Sequence, residues 1–344
     1  MQTTEFYWGA ASTCGRRPSN EDQHVVQSIS KPVSCTYAAV FDGHGGTGAS
    51  EYSAANLHNT LTQQKEFPDN VPKSMQQAFN ITDRNYIKQE GSADIFSSAG
   101  STAIVCLHIG DKFFFGNAGD SRAVVGRIDV NLNFTPQSLK PITKQVSTDH
   151  KPHIPEEKQR IEQYGSCVIE SNDDCSRVAG MLAVSRAIGD APFKGCGVIA
   201  TPEVFCVQQV EVDYVVLACD GLWDVMTNEE VGFVLQCVVG AFKNKQVQCS
   251  DQRLNCIKNA VALFLQSDNL QDESAKLAER ELAKIGQYDY FSSESADVKA
   301  QYPTHDDKFS PQNIGRILAK TAVALGSEDN VSIVVGVRAG CYGK

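Results

Sequence analysis

Apolar residues along the chain gather in short runs rich in β-branched and aromatic side chains, punctuated by Gly, Asp, Asn and Ser. Tyr37–Phe41 (YAAVF), Thr102–Ile109, Lys112–Asn117, Ser121–Arg127, Tyr214–Cys219 and Val331–Val337 each read as a strand. Gly110-Asp111 separates the second run from the third, which predicts a tight hairpin and antiparallel pairing. Runs this uniformly apolar predict strands covered on both faces. Elsewhere the period lengthens to that of a helix. Thr227 and Glu230 form a capping-box pattern ahead of Val231, Val234, Leu235 and Val238 on one face. Leu254, Ile257, Val261 and Phe264 mark a second helix. Ser310-Pro311 opens a third, which runs through Ile314, Ile317, Leu318 and Leu325 to a stop at Gly326. Thr47–Leu61 is spaced as a helix too, directly after a glycine-rich turn. The alternation predicts an α+β fold with sheets inside and helices outside, as one domain over residues 1–344.

Residues 267–310 have a different texture. Ser, Asp, Glu, Gln and Lys dominate, with a helical piece near Glu273–Ile285 and a polar tail, FSSESADVKAQYPTHDDK. This reads as a polar, partly helical insertion and not as a second domain.

Charge narrows the function. With 31 basic and 41 acidic residues the net charge is −10, which argues against nucleic acid or an anionic membrane as partner. No apolar stretch approaches 18 residues, and the first residues lack the pattern of a signal peptide or a myristoylation site. A soluble cytoplasmic or nuclear protein is expected. Of the 12 cysteines no two are spaced as Cys-x-x-Cys, which excludes zinc-ribbon and thioredoxin-type motifs. Cys106, Cys219 and Cys237 lie within apolar runs and read as reduced core thiols.

The chemistry lies at strand ends. Asp42 follows YAAVF, Asp220 follows YVVLAC, and Asp329 precedes VSIVVGV. Glu21-Asp22 precede the alternating His24–Ile29 stretch, and Asp120 falls between two strands. A single Asp there is commonly a turn residue. Five such clusters point instead to carboxylates converging on a hard cation such as Mg²⁺ or Mn²⁺, able to activate water for hydrolysis. Glycines around Asp42 (DGHGG) allow close backbone approach to a metal or phosphate. His44 inside that turn could be a general acid, a metal ligand or a bystander, and its all-carboxylate surroundings favour the general acid. No Cys is followed six positions later by Arg, and no GDxHG or GxSxG motif occurs, which removes three other hydrolase chemistries.

In order along the chain stand RPSNED (17–22), FDGHGG (41–46), GSTA (100–103), NAGDSR (117–122), DHKP (149–152), LAVSRAIGD (182–190), PEV (202–204), ACDGLWDV (218–225) and SEDN (327–330). This ordered set resembles the type 2C protein serine/threonine phosphatases, the metal-dependent PPM family. The resemblance implies a central β-sandwich of two antiparallel sheets flanked by pairs of helices. It implies two Mg²⁺ or Mn²⁺ ions: Asp42 bridges both, the Gly43 carbonyl ligates the second, and Asp220 and Asp329 ligate the first. Glu21 and Asp22 would act through metal-bound waters, and a third, loosely bound ion would use Asp120, Asp220 and Asp224. Arg17 would pair with the substrate phosphate and His44 would protonate the leaving oxygen. A hydroxide bridging the two cations would attack phosphorus. Ala191–Thr201 would form a flap beside the site, with Phe193 and Lys194 influencing substrate choice. The expected partners are phosphorylated proteins, handled by a monomer. The alternative is a pseudophosphatase that binds phosphoproteins without turnover.

Overall fold

The computed structural model describes residues 5–90, 98–131, 133–140, 142–170, 176–267, 273–286 and 309–341. The chain folds into two compact units: Met1–Asn20 with Ala123–Val146 and Val207–Lys344, and Glu21–Arg122 with Ser147–Cys206. Neither is continuous in sequence, so no shift in composition marks the boundary.

The first unit carries a sheet with strands ordered Phe6–Thr13, Val331–Arg338, Tyr214–Ala218, Arg122–Gly126 and Thr143–Gln145. Val331–Arg338 pairs antiparallel with both neighbours, placing Val334 opposite Ala10 on one side and Leu217 on the other. Seven of its eight residues are buried, as an unbroken apolar run requires. Helices Asn228–Phe242, Gln252–Gln266, Glu273–Ala283 and Pro311–Leu325 supply the rest of this core, including Phe233, Leu254, Phe264, Ile314 and Leu318. The predicted capping box is present, with Thr227 Oγ1 accepting from the Glu230 N–H at 3.2 Å and Glu230 Oε2 accepting from the Thr227 N–H at 2.9 Å. The helix it opens is buried from Glu230 to Gly240 and not on one face alone. Gly9 matters for the last helix: a Cβ there would lie 2.2 Å from the Gln312 nitrogen, so only Gly lets that helix start against the sheet.

The second unit carries a sheet ordered Glu203–Gln208, Lys112–Ala118, Ala103–Ile109, Cys35–Phe41 and Gln23–Ile29. The predicted hairpin pairs Ile109 with Lys112, and Gly110 takes φ +61° in the turn. Helices Gly48–Thr62 and Val71–Glu90 bury Leu57, Leu61, Met75 and Phe79 against Tyr37, Phe41 and Val105. Covering a side chain of this size contributes about 1.5–3 kcal/mol. A smaller cluster gathers Ile161, Val178, Leu182, Val184, Phe193 and Val198.

The expected α+β class with antiparallel sheets is what the chain adopts. Among the elements that the sequence pattern does not predict are strands Phe6–Thr13, Thr143–Gln145 and Glu203–Gln208, and helices Val71–Glu90 and Pro155–Gln163. Of the predicted insertion, helix Glu273–Ala283 buries Ala275, Ala278 and Leu282 in the first unit's core. Residues 268–272 and 287–308, including the polar tail, lie outside the described residues. The described cysteines are all free thiols, with Cys106, Cys219 and Cys237 buried. Among the described residues no helix is long and apolar enough to cross a membrane.

Candidate active site

In the second unit, strand register does the gathering. Gln23 pairs with Phe41, so Asp22 and Asp42 leave the same rung of the ladder, and their carboxylate oxygens approach within 4.8 Å. Asp120 lies just beyond Ala118 on the same edge and comes equally near Asp42. The turn that carries it is tied to Asp42 through Thr102. The Asp42 N–H donates to Thr102 Oγ1 at 3.2 Å, and that hydroxyl shares a 2.7 Å hydrogen bond with Ser121. Asp22 and Asp120 are each only 4% exposed. Buried carboxylates this close repel unless a cation lies near. For Asp120 one such cation is Lys151, whose Nζ donates to Oδ2. Oxygen donors alone, several of them charged, fit Mg²⁺ or Mn²⁺ better than a soft metal. Gly43 is held against the Glu21 carbonyl, which would lie 2.2 Å from a Cβ. The Gly46 N–H donates to Glu21 Oε2 at 3.1 Å and fixes that carboxylate beside the same turn.

Three motifs meet in a small patch of sheet beside Asp42. His44 pairs with Gly100, and Gly100 pairs with Gly189. Asp190, next in the chain, has φ +51°, a left-handed conformation more tolerable for Asp than for most side chains. Its N–H is anchored on the Ala99 carbonyl at 3.1 Å, and its carboxylate accepts from His44 Nε2 at 2.8 Å. A Cβ on Gly100 would fall 2.2 Å from Asp190 Oδ2 and 2.4 Å from His44 Nε2, so this pair exists because residue 100 is Gly. Burial alone would lower the His44 pKa. The charge and hydrogen bond of Asp190, with contributions from Asp120 and Glu21, more than offset it and raise the pKa.

In the first unit a second acidic edge forms by the same antiparallel logic. Ala218 pairs with Ile333, so Asp220, beyond the end of one strand, and Asp329, before the start of the next, share one edge. The Ser332 N–H donates to Cys219 Sγ at 3.1 Å, and a Cβ on Gly221 would fall 2.0 Å from the Asn330 carbonyl. Asp224 closes the single helical turn Asp220–Trp223. Arg17 donates from Nη2 to Asp329 at 2.8 Å and from Nε to the Glu328 carbonyl at 3.2 Å.

A family model described as Protein phosphatase 2C matches residues 8–262 of this chain. The chain is a member of the protein phosphatase 2C family. "Probable protein phosphatase 2C 59" of Arabidopsis thaliana is 38% identical over 240 residues, 68% of this chain and 70% of that protein. "Probable protein phosphatase 2C 55" of Oryza sativa subsp. japonica is 35% identical over 276 residues, 78% of this chain and 68% of that protein. The crystal structure of serine-threonine phosphatase 2C from Toxoplasma gondii shares the fold, with TM-score 0.64 at 18% identity over 98% of this chain and 96% of that one. This protein phosphatase 2C is therefore a metal-dependent serine/threonine phosphatase. The family match ends before Asp329, whereas the structural likeness covers nearly the whole chain.

The phosphatase gathers Asp22, Asp42, Gly43, His44 and Asp120 in one unit; in the other it pairs Arg17 with Asp329 and sets Asp220 and Asp224 on one short turn. The two flap residues have internal work. Phe193 is 6% exposed within the small cluster, and Lys194 Nζ donates to the Ala187 carbonyl at 2.7 Å and lies 2.9 Å from Asp83 Oδ1. Asp190 and Lys151 were given no role from sequence. Both lie in the quoted motifs SRAIGD and DHKP, which was the available signal.

Proposed function

We propose that this chain hydrolyses phosphoserine and phosphothreonine in proteins by direct attack of water on phosphorus, with two divalent cations as cofactors. Asp42, the Gly43 carbonyl, Asp220 and Asp329 would hold those cations, with Glu21 and Asp22 acting through water. Asp120, Asp220 and Asp224 would hold a looser third. When bound, Mg²⁺ or Mn²⁺ supplies an activated water and draws off charge developing on the phosphoryl oxygens.

The chain's own residues do the rest. Asp42 and Asp120, kept close by Thr102 and Ser121, form an oxygen-rich edge whose shape does not depend on the substrate. His44 gives its Nε2 hydrogen to Asp190, which leaves Nδ1 to hand a proton to the departing Ser or Thr oxygen. The charge and hydrogen bond of Asp190 favour the protonated imidazole that this step requires. Arg17 presents a planar fork suited to phosphate oxygens. In the present structure that fork rests on Asp329, so a phosphate would compete for it.

The carboxylates gathered around Asp42, beside the His44–Asp190 pair, carry this reading. The test is hydrolysis of a phosphothreonine peptide with Mn²⁺, with Mg²⁺ and with EDTA, using Asp220→Ala as control. Turnover that needs metal and disappears in the variant is expected. A folded protein that binds the peptide without turnover under any metal would overturn the reading in favour of the pseudophosphatase. Phosphorylated proteins are the proposed partners, and a monomer suffices.

A further inference from the structure

Asp220 and Asp224 stand at positions i and i+4 of a helix only four residues long, Asp220–Trp223, and its C-cap. Like charges at that spacing repel, and a lone turn is far below the length at which a helix holds itself. The turn is held from outside. Its entry is packed by Gly221 on the Asn330 carbonyl, and the Trp223 indole N–H donates to the Ala218 carbonyl at 2.9 Å. At its exit stands a single guanidinium. Arg253, second residue of helix Gln252–Gln266, donates from Nη2 to the Val225 carbonyl at 3.0 Å, one residue past Asp224. From Nη1 it donates to the Ile285 carbonyl at 3.0 Å, and from Nε to Glu230 Oε1. Glu230, 6% exposed, is the capping-box residue of the next helix. Ile285 closes the insertion helix Glu273–Ala283, its N–H reaching the Leu282 carbonyl at 3.0 Å. One side chain thus joins the acidic turn, a helix cap and the end of the insertion.

We propose that Arg253 is a positioning residue through which the insertion sets the spacing of Asp220 and Asp224, and hence the affinity of the more loosely held divalent cation. This rests on the metal-phosphatase reading above. A guanidinium is a rigid fork, so its three acceptors cannot shift independently. Movement of the insertion helix at Ile285 is passed to Val225 and the adjoining Asp224. A change on that helix would then tune metal demand without touching the ligands.

The experiment is calorimetric titration of the full chain with Mn²⁺ alone, for wild type, Arg253→Met, Arg253→Lys and Leu282→Ala, with melting temperature and phosphopeptide kinetics alongside. Arg253→Met is expected to weaken the looser class of Mn²⁺ by about tenfold, the scale of losing a residue behind a metal ligand. The kcat should recover in excess Mn²⁺ and the peptide KM should be unchanged. Arg253→Lys keeps the charge but not the fork and is expected to fall between. Leu282→Ala, which loosens the seat of the insertion helix, should shift the isotherm the same way by less. Wild-type isotherms in both Arg253 variants, even with lowered melting temperatures, would make Arg253 a stability residue only and overturn the proposal. An unshifted Leu282→Ala isotherm would overturn the part given to the insertion. Should Arg253→Met fail to fold, Arg253→Lys decides by the same criterion. A wild type that takes up no Mn²⁺ would overturn the phosphatase reading itself, before any variant is compared.

Discussion

In the second unit two of the acidic side chains are sunk into the end of a sheet, and Asp42 beside them is half-buried. Asp22 and Asp120 are almost fully buried, and Asp42 is fixed through Thr102 and Ser121. Asp190, 2% exposed, holds His44 from a left-handed backbone. In the first unit Asp220 is half-buried like Asp42, but the acidic residues beside it are open to solvent. The Asp329 carboxylate is 41% exposed and tied to an Arg17 side chain that is 56% exposed, while Asp224 stands exposed at the end of one short turn. Burial makes position rigid because an unsatisfied carboxylate in the interior is costly. Exposure makes it adjustable, since water can take over any contact that is lost. The difference predicts a preorganised half and a tunable half, a division of labour that mutation can break.

The largest effects should come from Asp42→Asn and Asp220→Ala. Each is expected to lower turnover by roughly a thousandfold or more, about 4 kcal/mol of transition-state stabilisation. The comparison is sharpened by melting temperature, which should change more for Asp42 than for Asp220. Full activity in Asp42→Asn would refute the two-cation assignment. His44→Ala comes next, with a loss of about a hundredfold on phosphothreonine peptides. An aryl phosphate with a good leaving group needs no proton and should lose far less, so equal losses on the two substrates would remove His44 as the acid.

Smaller in rate but large in stability is Glu157→Gln. Glu157 is 2% exposed and accepts from Arg160 and Arg186, the nearest contact of each being 2.7 Å, and from Ser185. Burial pushes its pKa up, but those hydrogen bonds, led by Arg160, reverse the shift and hold it well below the usual range. A depressed folded-state pKa stabilises the fold above the unfolded value and loses that stabilisation as pH falls through the folded one. The substitution should therefore cost about 3 kcal/mol at pH 7. Urea unfolding should show the gap between variant and wild type closing in acid, and a gap that widens there would contradict the network's role. Smallest is Cys219→Ser. Its sulfur accepts the Ser332 N–H at 3.1 Å beside Asp220, so activity should persist with a stability loss of about 1 kcal/mol by thermal melting. Inactivation with unchanged stability would mean that Cys219 has a chemical part.

Elements whose signal is local were legible. Tyr214–Ala218 and Val331–Arg338 announce themselves as unbroken apolar runs, and Thr227–Glu230 as a cap with defined spacing. Val71–Glu90 carries Val71, Met75 and Phe79 at the period of a helix, but in an otherwise polar stretch, so its signal is weaker than that of an unbroken apolar run. Phe6–Thr13 escaped because Gly9, Ala10 and Ala11 dilute its apolar alternation, although Gly9 is what the last helix requires. For the site, an acidic residue next to an apolar run could be read directly, whereas the partners of those residues could not. Asp190 lies 146 positions from His44, Lys151 lies 31 from Asp120, and Arg253 lies 32 from Ile285.

By itself, the sequence determined which residue types stand at strand ends, where strands and capped helices begin, and which hydrolase chemistries lack their motifs. Those are properties of neighbours along the chain, set by backbone preference and side-chain periodicity. Only the tertiary structure decided that Gly100 must be Gly for the His44–Asp190 pair, that Lys194 turns inward, and that Arg253 grips Val225. Each of these depends on antiparallel register and helix packing between distant segments, where a displacement of one or two ångströms separates a hydrogen bond from a gap.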